Sequence, residues 1–239
     1  MRFIRKLHKW LGLIVGVQLL LWSISGVMFA WLDHHEVSAE HSVRAPDAAV
    51  LPSSVALVQP PSWPSELAAG KIVEIRLASL LDEWIWRIET PEGVSLLSAT
   101  TGEPLPLTKE IVSALAQRRY AGNGQLSSVA FHPAATLETR TSAATWAARF
   151  DDERDTTLYF SADDGRLVQA RNDTWRLFDF FWMLHTMDYR GRDNFNNPLV
   201  ITIGFAALWL VLSGALLLLR SFRQQDFAFL TFWRREGLR

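Results

Sequence analysis

Two long uncharged apolar runs bracket a middle made of short alternating segments. The first run, WLGLIVGVQLLLWSISGVMFAWL, covers residues 10–32, and the second, PLVITIGFAALWLVLSGALLLL, covers 198–219. A bilayer core about 30 Å thick takes roughly 20 residues of helix, and in lipid the backbone must bond within its own segment. Each run therefore predicts a transmembrane helix. Between them KIVEIRLASL, EWIWRIET and VSLLSA alternate as strands do, with turn signals at PEG and TTGEP. TKEIVSALAQRRY, residues 108–120, sets Ile111, Val112, Leu115 and Ala116 on one side of a helix, with Thr108 as its N-cap. Strands resume in QLSSVAFH, TWAARFDD, TTLYFSAD and GRLVQARN. Helical spacing returns at 174–187, TWRLFDFFWMLHTM, which predicts an interfacial helix with Trp175 and Trp182 at headgroup depth. The stretch after the first run is rich in Pro, Ser and Ala, and Pro60, Pro61 and Pro64 predict irregular chain there.

The middle repeats itself. Trp86, Ser98 and Gly102 recur as Trp146, Ser161 and Gly165, with each glycine at the turn of a hairpin. The expected fold class is α+β: two small α+β repeats flanked by two transmembrane helices.

Charge adds an orientation. Arg2, Arg5, Lys6 and Lys9 precede the first run with no acid among them. Arg220, Arg223, Arg234, Arg235 and Arg239 follow the second, against Asp226 and Glu236. The segment between the runs holds 15 basic and 23 acidic residues. Basic flanks stay in the cytoplasm, so both termini are expected inside and the acidic middle outside. A cleaved signal core is usually about 7–15 residues before a small-residue site. The first run is longer, and Phe29 and Trp31 surround its small residue, so a retained anchor is expected. The acidic middle argues against nucleic acid as a partner. Cysteine is absent, which excludes disulfides, thiolate metal sites and cysteine nucleophiles.

RKLHKWLGLIVGVQLLLWSISG, TTLYFSADDGRLVQARNDTWRLFDFFWMLHTMDY, GRDNFNNPL and the closing LSGALLLL together resemble the PepSY proteins with associated transmembrane helices. The resemblance covers nearly the whole chain, although many relatives have four or more spans. It implies a cytoplasmic basic N-terminus at 1–9, transmembrane helix 1 at 10–32 and an extracytoplasmic PepSY-like domain at 33–197. Transmembrane helix 2 follows at 198–219, and a cytoplasmic basic tail at 220–239. The implied location is the bacterial inner membrane, with the domain in the periplasm. Two roles are implied. One is an accessory or electron-carrying subunit of a membrane redox system, linked to iron, siderophores or flavin and able to bind haem b. The other is a non-catalytic binding module that regulates an envelope peptidase or senses envelope state.

For the first role the candidate haem ligands are His185, His34, His35 and His8. Haem held by two histidines needs facing neutral imidazoles in an apolar slot. His34 or His35 with His185 is the expected pair, with Trp31, Phe181 and Trp182 as cover. His8 lies 26 residues before His34, about 39 Å along a continuous helix, so a ligand at His8 needs a second chain or a partner. Gly12 and Gly16 form a GxxxG pattern for a homodimer or a membrane redox partner. Gln18 and Ser23 are polar groups in an apolar run and are expected to face a helix. The acidic run Asp151, Asp152, Glu153 and Asp155 reads as a solvated tip with no metal-site spacing. LSATTGEPLPLT reads as a turn rather than a flavin attachment site, because its counterpart beginning at Ser161 has the same form. No catalytic constellation is visible.

Overall fold

The computed structural model describes residues 2–46, 50, 55–58 and 72–221. The expected irregular stretch around Pro60, Pro61 and Pro64, and the basic tail beyond Ser221, lie outside the described residues. The chain divides into two compact units, Met1–Ala30 with Phe181–Arg239, and Trp31–Phe180.

The first unit is helical. Helix α1 runs Arg2–Trp31 and the last helix, α5, runs Pro198–Ser221. Both are long and apolar enough to cross a membrane, and their most apolar windows are only 17% and 11% buried. A soluble core helix would hide such a surface. Here Leu13, Ile14, Val17, Leu20, Phe205 and Leu208 all stay exposed, as residues facing lipid should. Asn197 caps α5, accepting the Val200 N–H at 3.0 Å, and Pro198 fills the first helical position, where no N–H is needed.

The second unit is α+β, with two antiparallel sheets. Strands β1 (Glu74–Leu80), β2 (Glu83–Thr90) and β3 (Gly93–Ser98) pair in that order. Strands β4 (Leu126–His132), β5 (Thr145–Phe150), β6 (Thr157–Ser161) and β7 (Leu167–Arg171) make the other sheet. Between them runs helix α3, Lys109–Arg119, capped by the Thr108 hydroxyl. One apolar cluster joins Leu80, Ile85 and Leu96 of the first sheet, Val112 and Leu115 of α3, and Phe150, Leu158 and Phe160 of the second. Two short elements break the expected irregular stretch: helix α2, His34–Ser38, capped by Asp33, and a 3-10 turn at Glu40–Ser42.

The repeat is present in the strand register. Trp86 faces Leu97 and Ile85 faces Ser98, while Trp146 faces Phe160 and Thr145 faces Ser161. Gly102 and Gly165 take φ of 77° and 68°, and each donates its N–H to the serine carbonyl four residues back, at 2.8 and 3.0 Å. The copies differ in the return strand. Where the second has β7, the first has one bridge from Pro104 to Leu97 and a Leu105 N–H to Leu96 carbonyl bond. Each copy then enters a helix, α3 in the first and α4 (Asp173–Thr186) in the second.

Trp175 of α4 is 8% exposed, with the Arg171 guanidinium 4.2 Å and the Arg140 guanidinium 5.6 Å from its ring in cation–π contact. Arg140 also pairs with the buried Asp179.

Candidate functional site

Helix α4 ends at Thr186, followed by Met187 at φ 55°. A helix end leaves its last carbonyls without internal partners, and next to an apolar helix water cannot take them. Side chains of the helical unit do so instead. Gln18 donates to the Leu184 carbonyl at 3.1 Å, Trp22 to the His185 carbonyl at 2.7 Å, and Asn197 to the Thr186 carbonyl at 2.9 Å. Gln18, Trp22 and Ser25 are spaced i, i+4, i+7, one polar stripe on α1.

Ser25 completes the stripe at the His185 ring. Its Oγ donates to the Leu21 carbonyl at 2.8 Å and lies 2.7 Å from His185 Nδ1. Nδ1 is thus the ring nitrogen engaged by Ser25, and no bond to Nε2 occurs among the described residues. Burial holds the imidazole pKa below its ordinary value, which favours the neutral ring. Phe29 lies 5.4 Å and Trp22 6.2 Å from the ring, and Trp182 packs on Phe29 at 6.2 Å.

The same construction occurs at His8. Its Nδ1 lies 2.8 Å from Ser213 Oγ, which donates to the Leu210 carbonyl at 3.0 Å. Gly214 makes room: a Cβ there would sit 3.1 Å from His8 Cε1. Each apolar run holds a Ser-Gly pair whose serine meets a histidine; Gly214 lies against the His8 ring, whereas Gly26 has nothing within 4 Å of its would-be Cβ. Along α1, His8 and Ser25 are 17 residues apart, about 26 Å, so the two seats are separate.

Of the other candidates, His34 and His35 belong to the strand-bearing unit, on α2. Their rings are 6.3 Å apart, and His35 Nδ1 lies 3.4 Å from Glu40 on an exposed side chain. Trp31 and Phe180 close the sequence limits of that unit, while Phe181 and Trp182 belong with His185. Gly12 meets Leu210 of α5 in the same chain, at 3.8 Å from its would-be Cβ, and Gly16 has nothing within 4 Å. Gln18 faces a helix as expected, but Ser23 does not. It is exposed and bonds the Leu19 carbonyl of its own helix, which satisfies a hydroxyl without a partner segment. The residues that sequence reasoning passed over are Trp22, Ser25 as a histidine partner, and Ser213. The i, i+4, i+7 spacing and the repeated Ser-Gly pair were the available signals.

The acidic run is partly structural. Asp152 accepts the Tyr120 hydroxyl at 2.6 Å and the Thr156 N–H at 2.8 Å. These bonds outweigh burial and hold its carboxyl below the usual range. Asp188 similarly gathers the N–H groups of Arg190, Gly191, Asp193 and Asn194, which fix the loop before α5.

No curated protein and no solved structure matches this chain. The family described as the PepSY-associated TM region matches residues 5–239, nearly the full length. With two membrane-length helices around an α+β middle and that match across both, the chain is a membrane protein of the PepSY-associated transmembrane family.

Proposed function

We propose that this chain is an accessory or electron-carrying subunit of a membrane redox system, linked to iron or flavin, in which His185 would hold haem b. The observation that supports it is the seat of His185: an imidazole that burial favours in its neutral form, with Nδ1 bonded to Ser25 and Nε2 without a partner among the described residues. His8, held by Ser213, offers a second and separate ligand position. Haem, when bound, supplies one-electron transfer. The chain's part is to orient the ring and surround it with apolar aromatics. Trp22, Phe29 and Trp182 do the last.

A site with two imidazoles needs another nitrogen. The sequence reading supplies His34 or His35 as candidates, and His8 calls for a second copy or a redox partner. The test is the absorbance of the full-length protein purified from haem-replete cells. The expected result is a Soret band that shifts on reduction with dithionite. His185→Ala should abolish it while the protein still enters the membrane, and His34→Ala, His35→Ala and His8→Ala identify the second ligand. His132→Ala, at the end of β4, should leave it unchanged. Ser25→Ala should leave a band with altered position, because the hydrogen bond to Nδ1 is lost. A colourless wild type would overturn the haem reading and favour the regulatory binding module. A haem-bearing His185→Ala would overturn the ligand assignment alone.

A further inference from the structure

The strand-bearing unit contains a groove of about 530 Å³ that the haem reading does not use. Strand pleat explains its floor. Residues 74, 76, 78 and 80 of β1 share one face with 85, 87 and 89 of β2, and all seven line it. Leu115, Arg118 and Arg119 at the end of α3 form one wall, and the turn at Asp164–Arg166 forms another. The Arg44 carbonyl accepts Arg119 Nε at 2.9 Å, which sets Ala45 and Pro46 at the rim.

Five arginines line this groove against three carboxylates, within a segment whose basic and acidic residues number 15 and 23. The three carboxylates are already committed. Glu74 pairs with Arg76 at 2.7 Å, Glu89 with Arg87 at 2.8 Å, and Asp164 with Arg87 at 3.1 Å. Burial works to raise the Asp164 carboxyl, but the Arg166 N–H and the Arg87 guanidinium outweigh it and hold it below the usual range. Arg118 pairs with Asp82 at 2.9 Å. The uncommitted charge is therefore positive. Arg119 has no carboxylate partner, and the Arg166 side chain has no partner, among the described residues. Beneath them lie Leu80, Leu81, Ile85, Leu96 and Leu115.

We propose that this groove binds a small organic oxyanion with an apolar body, its head taken by Arg119 and Arg166 and its body laid over the leucines and Ile85. Guanidinium forks match carboxylate and phosphate oxygens in pairs. The volume suits a small molecule of this class. The groove and the His185 seat are independent, so either assignment stands or falls alone.

Calorimetric titration of the full-length protein in detergent tests it. The probes are 4-phenylbutyrate and phenyl phosphate, with 4-phenylbutyramide as the same body uncharged and inorganic phosphate as a head without a body. At least one probe should saturate below about 10 mM, and its preferred head distinguishes a carboxylate ligand from a phosphate one. The amide and inorganic phosphate should each bind about tenfold more weakly. Arg166→Gln, on an exposed side chain, should weaken the probe at least about fivefold, and Arg119→Gln by a similar factor. No saturable binding, equal affinity for the amide, or unchanged affinity in Arg166→Gln would overturn the proposal.

Discussion

At the scale of single residues, Ser25 and Ser213 each stand within hydrogen-bond distance of a carbonyl of their own helix and of a histidine Nδ1. Tyr120 gives its proton to Asp152 while its ring stacks on Phe150 at 3.8 Å. Burial first, and the Asp152 hydrogen bond next, push the Tyr120 pKa up to about 12. A raised folded pKa stabilises the fold fully below the ordinary value of about 10, and that contribution is lost as pH rises toward 12. Tyr120→Phe should therefore lower stability at neutral pH by roughly 1–2 kcal/mol and flatten the loss of melting temperature above about pH 10. Equal alkaline slopes in the two proteins would refute this account of Tyr120. The histidines were legible in the sequence, because few residues of that type exist and their places beside apolar runs are plain. Their serine partners were not. A serine in a lipid-facing helix bonds its own backbone equally well, as Ser23 does, and only the neighbouring segment separates the two cases.

At the scale of elements, strands and helices followed their patterns closely because period and burial coincide. Strands β1–β7 and α3 lie where alternation and the Thr108 cap predict. The duplicated Trp, Ser and Gly positions anticipated the matched register of the two hairpins. Sequence could not give the loss of the first copy's return strand, which rests on a single bridge at Pro104. Nor did it give α2, whose five residues are too few to show a period. The start of α4 was anticipated, but not what holds it. Asn172 is fully buried, accepts the Trp175 N–H at 2.8 Å and donates to the Glu36 carbonyl of α2 at 2.9 Å. Asn172→Ala removes both the cap and the link to α2, and should destabilise by about 1–2 kcal/mol. Asn172→Asp keeps the cap and loses the donor, and should fall between. The comparison is a pair of melting curves. An alanine variant as stable as wild type would show that neither bond matters.

At the scale of the whole molecule, two membrane helices bracket one domain, and the proposed orientation places both termini in the cytoplasm. Reporter fusions check it: one at the C-terminus should be active only inside the cell, and one inserted at Gly122, between α3 and β4, only outside. A C-terminal reporter active outside would reverse the assignment. The order of synthesis gives one feature of the helical unit a further meaning. Gln18 and Trp22 bond carbonyls that lie 166 and 163 positions later in the chain. At about 5–20 residues per second, α1 leaves the ribosome roughly ten to thirty seconds before those carbonyls exist. Through that interval the nascent anchor carries a polar stripe with nothing to receive it. The newborn helix therefore completes this hydrogen bonding only once the end of α4 has been made.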